Sequence, residues 1–393
     1  MPKVERNLSL FKWNNFFAYM WPLSAVGIIY FEQITGSWAL ASLIYSTYVL
    51  TQALSELPVG IISDKWSRKN TVIVSSMILF LSGVCFALAG NLSSTTLLFM
   101  GSACWGLGGA FDSGTDEALM YETCKDLCKE DEYDVVFSGA KIWRYLGATA
   151  ATMIAVPTLY FSNMNMLAWV SLIPAFGSLW VSFLFTEPES HDRAKAHPLR
   201  HFMGALKNFK LNAKLRKIAL AHIMNFSWGE TQYRLNSVYY AQFLPIWAVD
   251  VAVFVYRGLT AAGFWAAMFI RKIGLLKMAF VSTLFKIVIV GAGLLINNVI
   301  SPFLMATSSL ASGGERSAES ALMQKEFSDS ERATMYSIVA IFGGILTAIS
   351  FYVFGLLADA YSVRTSLTAL LIYKIIISSC YWRLMKKYGH NDP

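Results

Sequence analysis

Long apolar runs separated by short polar stretches dominate the chain. Each run is about 20 residues long, the length that an α-helix needs to cross the hydrocarbon core of a bilayer. We predict twelve such helices, at residues 8–31, 38–61, 71–89, 96–120, 142–161, 166–185, 218–240, 246–270, 275–296, 302–323, 332–357 and 365–384. A β-barrel would instead show segments of about ten alternating residues. The pattern predicts an all-α membrane protein with twelve transmembrane helices.

The runs fall into two sets of six, separated by a basic stretch rich in proline and histidine. We therefore predict an N-terminal six-helix bundle (residues 1–186), a cytoplasmic linker (187–217) and a C-terminal six-helix bundle (218–393). A weak internal repeat supports the two halves. The fourth run ends in Asp116–Met120, which reads DEALM, and the tenth ends in Glu319–Met323, which reads ESALM. The halves are thus expected to be pseudo-symmetric.

Composition and charge place the chain in a membrane. Its 393 residues are 55% hydrophobic and only 15% charged, more apolar than a soluble protein of this size requires. The net charge of +7 could by itself suggest nucleic acid, but the basic residues occur in alternate loops. Because cytoplasmic loops carry the excess of Lys and Arg, we predict a multi-pass plasma membrane protein, of a bacterial inner membrane, with both termini cytoplasmic. No nucleic-acid partner is expected.

The stretch Pro58–Lys69, PVGIISDKWSRK, lies between the second and third runs. We predict a polar loop there, because each charge at a bilayer centre costs about 2.5–3.5 kcal/mol. The stretch resembles the loop between the second and third helices of the Major Facilitator Superfamily, with Ser67 where the family usually has glycine. Residues 113–121, 331–334 and 355–359 carry further resemblance, and the first and last of these are similar to drug-efflux members.

The resemblance implies secondary active transport of a small solute, often coupled to protons, by alternating access of two six-helix bundles. It also implies a conformational latch that closes the cytoplasmic face. The predicted members are Gly60, Asp64, Lys65, Arg68, Lys69, Asp116, Glu117, Arg144 and Arg332. In this group we expect Arg68 and Lys69 to meet Asp116 and Glu117. Asp64 is expected near Arg332.

Charged residues inside the runs are the other candidates, since such residues are costly and usually face a cavity. They are Asp112, Glu230, Arg234, Arg257, Glu315, Arg316 and Glu319. Glu230 and Arg234 are four residues apart, so they can form a pair on one helical face. Arg144 could pair with Asp116, Glu117 or Asp112. We expect a transported proton to bind Glu230 or Glu315.

Two lysines also lie inside predicted runs. Lys286 and Lys374 lie in the ninth and twelfth runs, which the resemblance places at the periphery, so we expect them to extend toward the membrane surface or pack.

Trp21 and Pro22 predict a bend in the first run, because proline frees a backbone carbonyl.

The function predicted is proton-coupled export of a small organic solute. One alternative is an uptake symporter or uniporter for an anionic metabolite or metal chelate, and another is a membrane receptor that does not transport. We find no convergent nucleophile and base for an intramembrane enzyme and no phosphate-binding GxxxxGK motif. We therefore expect no catalytic residues, metal ligands or cofactors. The expected partners are the small-molecule substrate, protons and the lipid bilayer, and we expect a monomer.

Overall fold

A computed structural model describes residues 3–189, 212–326 and 332–388. Within these ranges, nothing is described for the side chains of Lys3, Asp64, Lys65, Arg271 and residues 332–336. The described residues form helices and short connections, without a β-strand. They fold as two compact units, Met1–Gly36 with Thr47–Ala196 and Ser37–Ser46 with His197–Pro393.

Nine described α-helices precede residue 189. They are α1 (Asn7–Tyr19), α2 (Gly27–Thr35), α3 (Trp38–Lys65), α4 (Arg68–Leu92), α5 (Thr95–Asp112), α6 (Thr115–Asp126), α7 (Tyr133–Phe161), α8 (Met164–Val170) and α9 (Leu172–Leu184). In the first unit, α4 packs on α5 and α9, and α1 packs on α7 and α9. One core cluster contains Phe11 and Phe185, whose ring centroids are 5.0 Å apart.

Seven described α-helices follow residue 212. They are α10 (Ala213–Tyr240), α11 (Ile246–Ile270), α12 (Leu275–Ile296), α13 (Ser301–Thr307), α14 (Leu310–Glu326), α15 (Arg332–Ala360) and α16 (Val363–Tyr388). Helix α14 packs on α10, α11 and α12, and α16 packs on α10 and α12. A methyl group at Gly263 of α11 or Gly313 of α14 would collide with the backbone of the other helix, so these glycines permit the close contact.

Six stretches of described helix are long and apolar enough to cross a membrane. They are Arg68–Leu92, Met164–Leu184, Ile246–Ile270, Leu275–Ile296, Ser337–Ala360 and Val363–Tyr388. Two of the predicted ranges, 246–270 and 275–296, coincide with α11 and α12. The predicted all-α membrane class is thus confirmed.

Four of the predicted runs are interrupted: the sixth between α8 and α9, the tenth between α13 and α14, and the first and the fourth. The first breaks after Tyr19 into a short 3-10 turn at Pro22–Ser24, which confirms the predicted bend. The fourth was predicted as one helix but breaks between α5 and α6. Gly114 lies there at φ 76°, a left-handed conformation that glycine adopts without steric cost. Asp116 therefore begins a separate helix.

The predicted loop at Pro58–Lys69 is wrong for most of its length. Helix α3 continues through Pro58 to Lys65, and α4 begins at Arg68. A helix satisfies its own backbone groups, so it can extend beyond the apolar run with charged side chains at its end. Ser67 has an extended backbone (φ −69°, ψ 131°) and caps α4 by accepting a hydrogen bond from the amide of Asn70. The residue at the family's glycine position is thus an N-cap.

The end of the predicted linker is also wrong. Its last residues, 213–217, form the first turn of α10. Asn212 begins this helix, because its side-chain oxygen accepts hydrogen bonds from the amides of Lys214 and Leu215, each at 3.0 Å. Residues 190–211, which carry the rest of the predicted linker, lie outside the described residues.

The start of α3 is capped from within the second unit. Asp359, near the end of α15, accepts hydrogen bonds from the Ser37 hydroxyl at 2.6 Å and from the amides of Trp38 at 2.8 Å and Ala39 at 3.0 Å. A carboxylate at a helix N-terminus satisfies amide groups that have no partner inside the helix. This cap is consistent with the grouping of Ser37–Ser46 with the second unit.

Candidate functional site

Glu315, on α14, lies in the interior of the second unit. It is only 1% exposed. Lys374 of α16 donates to its Oε1 atom at 2.7 Å, and Lys286 of α12 donates to its Oε2 atom. The hydroxyl of Thr283 adds a hydrogen bond to Oε1 at 2.9 Å. One carboxylate is therefore held by two ammonium groups from two neighbouring helices.

The predicted extension of Lys286 and Lys374 toward the membrane surface is wrong, and both side chains pack in the interior. Their side chains are 8% and 0% exposed. Their ammonium groups remain in the interior because α12 lies against both α14 and α16. Glu315 thus supplies a counter-charge there, and a buried charge without such a partner is strongly unfavourable.

Glu319, one turn further along α14, is the second buried carboxylate. It is 3% exposed and has three hydrogen-bond partners. Asn225 donates to it at 2.6 Å, Tyr381 donates through its hydroxyl, and the Nδ1 atom of His222 lies at 2.8 Å. Glu315 and Glu319, four residues apart, share one face of α14.

Asn225 connects the two carboxylates. Its amide nitrogen donates to Glu319, while its carbonyl oxygen accepts from the ammonium group of Lys374. A continuous hydrogen-bonded series results, which we call the buried charge cluster. Its members are His222, Glu319, Tyr381, Asn225, Lys374, Glu315 and Lys286.

Trp228 forms an aromatic wall of the cluster. The Lys374 ammonium nitrogen lies 4.1 Å from a ring centroid of this tryptophan, and that of Lys286 lies 5.5 Å away. The indole nitrogen donates to the carbonyl of Leu370 at 2.9 Å, which fixes the ring. Contact with an aromatic face lowers the cost of burying a cation.

The arginines of the second unit lie among tyrosines. The guanidinium of Arg234 lies 4.3 Å from the centre of the Tyr45 ring, and that of Arg257 donates to the hydroxyl of Tyr233 at 2.7 Å. Arg316, between the two carboxylates in sequence, is exposed, and Glu230 is half-buried. Of the candidates predicted in the second half, the structure brings only Glu315 and Glu319 into the buried charge cluster. The predicted pair of Glu230 and Arg234 stays a prediction.

Several buried polar atoms near the end of α10 and the start of α11 have no hydrogen-bond partner. Gln232, Asn236 and Tyr240 are spaced four residues apart along α10 and are at most 3% exposed. Asp250, one turn into α11, is 2% exposed, and one of its carboxylate oxygens also has no partner. Unpaired buried polar groups cost about 1–3 kcal/mol each, so this polar stripe is a second candidate site.

In the first unit, Asp116 accepts a hydrogen bond from Asn15 of α1 at 3.3 Å. Arg144 of α7 donates to the side-chain oxygen of the same asparagine at 3.1 and 3.3 Å, and its guanidinium lies 4.0 Å from the ring centre of Tyr19. The direct pair of Arg144 with Asp116, one of three that the sequence allowed, is therefore wrong, since an amide separates the two charges. Asp112, the last residue of α5, is half-buried.

The other predicted pairs at this end of the first unit are also different. Arg68 pairs with Glu122 at 3.2 Å, and Glu117 pairs with Lys141 at 3.0 Å. The expected contact of Arg68 and Lys69 with Asp116 and Glu117 is wrong, because α6 presents Glu122 to the start of α4.

Glu187 also binds the start of α4. It accepts hydrogen bonds from the hydroxyl of Ser67 and from the amides of Arg68 and Lys69, at 2.6–2.8 Å. The backbone of Lys69, rather than its charge, makes this contact.

Three members of the predicted latch, Asp64, Lys65 and Arg332, have side chains outside the described set. Gly60 lies within α3 and has no atom within 4 Å of the position that a Cβ would take. The role of the group in closing the cytoplasmic face stays a prediction.

Sequence reasoning missed His222, Asn225 and Tyr381. One signal could have identified the histidine: the chain has five histidines, and His222 alone lies inside a predicted apolar run. Asparagine and tyrosine carry no comparable signal, because both also occur in membrane helices for packing.

Several solved transporter structures are similar to this fold. A nucleoside transporter, NupG, has a TM-score of 0.78 and 13% identity, covering 98% of this chain and 100% of its own. A bacterial homologue of the human lysosomal transporter Spinster, in an inward-facing and unoccupied conformation, has a TM-score of 0.76 and 12% identity, with 100% and 99% covered. A POT family transporter in complex with 5-aminolevulinic acid has a TM-score of 0.72 and 13% identity, with 97% and 96% covered. At these identities the likeness shows the fold alone.

The search of curated proteins by sequence finds no match. The family model of the Major Facilitator Superfamily, however, matches residues 8–307, more than half of the chain. The transporter fold and the two six-helix halves predicted from the sequence agree with that match. This chain belongs to the Major Facilitator Superfamily.

Proposed function

We propose that the protein is a secondary transporter that exports a small organic solute by alternating access and couples this movement to protons. The buried charge cluster is the observation that carries the coupling. Ionisable groups inside membrane helices are expensive and characteristically mark proton or ion pathways. A receptor that does not transport has less reason to keep two carboxylates and two ammonium groups in its interior.

The polar stripe supports solute binding. Gln232, Asn236 and Tyr240 hold donor and acceptor atoms that no described protein group satisfies. A polar solute that contacts α10 in one state of the transport cycle would supply those hydrogen bonds. Binding in that state and not in the other would shift the conformational equilibrium, as transport requires.

Fewer observations support the direction of transport, which we propose to be export. It rests on the resemblance of residues 113–121 and 355–359 to drug-efflux members of the family. Reversing the pH gradient across a vesicle tests direction and coupling together.

The experiment uses purified protein in sealed vesicles with an imposed pH gradient. Solutes that raise its thermal unfolding temperature are tested for transport, with Glu315→Gln, Glu319→Gln and Glu230→Gln measured beside the wild type. We expect transport to follow the gradient and both cluster variants to lose that dependence. Transport that ignores the gradient and all three substitutions would leave a uniporter, and no transport of any solute that stabilises the protein would favour a receptor.

A further inference from the structure

His222 differs from the rest of the buried charge cluster in its exposure. Its side chain is 25% exposed, while that of its partner Glu319 is 3% exposed. The side chains of Glu315, Lys286 and Lys374 are at most 8% exposed. Among these side chains, the imidazole is therefore the one with the most surface outside the protein interior.

The charges of the cluster balance without the histidine. Glu315 and Glu319 carry two negative charges, and Lys286 and Lys374 carry two positive charges. With a neutral imidazole the cluster has no net charge, and protonation of His222 raises it to +1. The protonated and unprotonated states thus differ by one charge in a mostly buried environment, where such a charge is costly.

The other members of the cluster are poorly placed to exchange a proton. Protonating Glu315 would leave two buried ammonium groups facing a neutral acid. Removing a proton from Lys374 would weaken hydrogen bonds to both Glu315 and Asn225. His222 can gain a proton while every existing hydrogen bond of the cluster is kept.

The contact with Glu319 also fixes which ring atom accepts the proton. An ionised carboxylate only accepts hydrogen bonds, so Nδ1, which lies 2.8 Å from Glu319 Oε2, carries the hydrogen of the neutral ring. The lone pair is then on Nε2. Protonation at Nε2 converts the neutral hydrogen bond into a charge-assisted one, which is stronger.

We propose that His222 is the group that binds and releases the coupled proton, at Nε2, and that Glu319 stabilises its protonated form. This assignment rests on the proposed proton coupling and names the group that performs it. The carriers predicted from the sequence were Glu230 and Glu315, and His222 was not among them.

Four of the helices packed against α10 carry charged or titratable groups among their described side chains. Helix α14 contributes Glu319 and Glu315, and α16 contributes Tyr381 and Lys374. Helix α11 carries Asp250, Tyr256 and Arg257, and α13 carries no titratable residue. Between Ser337 and Ala358, α15 has Tyr352 as its one titratable residue. Glu319 is the carboxylate in direct contact.

A single-histidine protein tests the assignment directly. The other four histidines, His191, His197, His201 and His390, lie in the predicted linker and the C-terminal tail and are replaced by glutamine. Nitrogen NMR of the ¹⁵N-histidine-labelled protein in lipid then reports one imidazole. We expect hydrogen on Nδ1 at high pH and added hydrogen on Nε2 as the pH falls.

The partner variant is Glu319→Gln in the same background. Loss of the negative charge makes the imidazolium less stable, so we expect the midpoint of the titration to move to lower pH. Glu326→Gln is the matched control, because Glu326 lies two turns further along α14 and pairs with Lys214 at 2.6 Å. We expect that control to leave the midpoint unchanged.

Three outcomes separate the two proposals. An imidazole that does not titrate between about pH 4 and 9, or whose midpoint is the same in Glu319→Gln, overturns the His222 assignment. Wild-type transport that ignores the pH gradient overturns the proposed coupling itself. Gradient-dependent transport that persists unchanged in His222→Gln overturns the assignment and leaves the coupling intact.

Discussion

The two units contain the same local arrangement in different surroundings. In each, an asparagine on the first long helix donates to a carboxylate of the repeated sequence DEALM or ESALM, and its carbonyl oxygen accepts from a cation. The residues are Asp116, Asn15 and Arg144 in the first unit and Glu319, Asn225 and Lys374 in the second. The internal repeat therefore extends from the sequence to side-chain contacts.

The two units differ in the residues that surround this arrangement. Asp116 begins a short helix after the break at Gly114, and one of its oxygens is buried without a partner. Glu319 lies within a longer helix and has every partner described above, including a histidine. The second unit also contains Glu315 and its two lysines. The comparison shows that the arrangement shared by the two units is joined, in the second unit, to a larger hydrogen-bonded cluster of ionisable groups.

The largest expected effect comes from removing the central charge of the cluster. Glu315→Leu leaves the ammonium groups of Lys286 and Lys374 buried without a counter-charge, so we expect a loss of about 3–5 kcal/mol in the free energy of unfolding. Thermal and denaturant unfolding in detergent measure it. The control Arg316→Leu changes an exposed residue of the same helix and should stay within about 0.5 kcal/mol. Equal effects would show that the cluster is not a special source of stability.

The next largest effect is expected at Asn225 and Asn15, the two residues whose side-chain amides each bridge a carboxylate and a cation. Asn225→Leu removes a donor from Glu319 and an acceptor from Lys374, while Asn15→Leu removes the equivalent groups from Asp116 and Arg144. We expect each to cost about 1–3 kcal/mol, with Asn225→Leu at the upper end because both of its partners are buried. If Asn15→Leu lowered the free energy of unfolding more than Asn225→Leu in parallel experiments, the expectation that the second unit depends more on its bridging amide would be contradicted.

A smaller effect of opposite sign is expected in the polar stripe. Asn236→Leu replaces an unpaired buried amide by an apolar side chain of similar size, so we expect the protein to gain about 1 kcal/mol. Solute transport should fall at the same time. A stability that drops, with transport unchanged, would mean that Asn236 has a structural partner and no role toward the solute.

The smallest effect concerns the surface pair of the first unit. Glu117 is 51% exposed and Lys141 is 20% exposed, so solvent screens their attraction. Glu117→Gln should change stability by less than about 1 kcal/mol, and most of that change should disappear at high salt. A loss of stability as large as that of Asn15→Leu would show that the pair of Glu117 and Lys141 also contributes substantially to the stability of the first unit.

The sequence predicted the helices well because apolar length is a strong signal, and the ranges of α11 and α12 agree at both ends. The break at Pro22 was also predictable from proline. The break at Gly114 was not, because glycine in a membrane helix serves close packing as often as a turn. Only the backbone angle distinguishes the two uses.

The site was predictable in part and for a physical reason. A carboxylate inside an apolar run is unfavourable in free energy and therefore rare, so Glu315 and Glu319 could be identified as candidates from the sequence. The positions of Lys286 and Lys374 depend on which helices lie side by side, and hydropathy along one helix does not contain that information. Arg68 was assigned the wrong acid for the same reason, because Glu122 is one turn beyond the acids that the motif suggested.

Trp228 gives the cluster an optical readout. Its indole faces the ammonium groups of Lys286 and Lys374, and the emission of an indole responds to nearby charge. In a variant that keeps this tryptophan and replaces the other eleven of the chain's 12 by phenylalanine, fluorescence would follow rearrangement of the lysines in real time. The molecule thus contains its own spectroscopic probe at the place where its charges are concentrated.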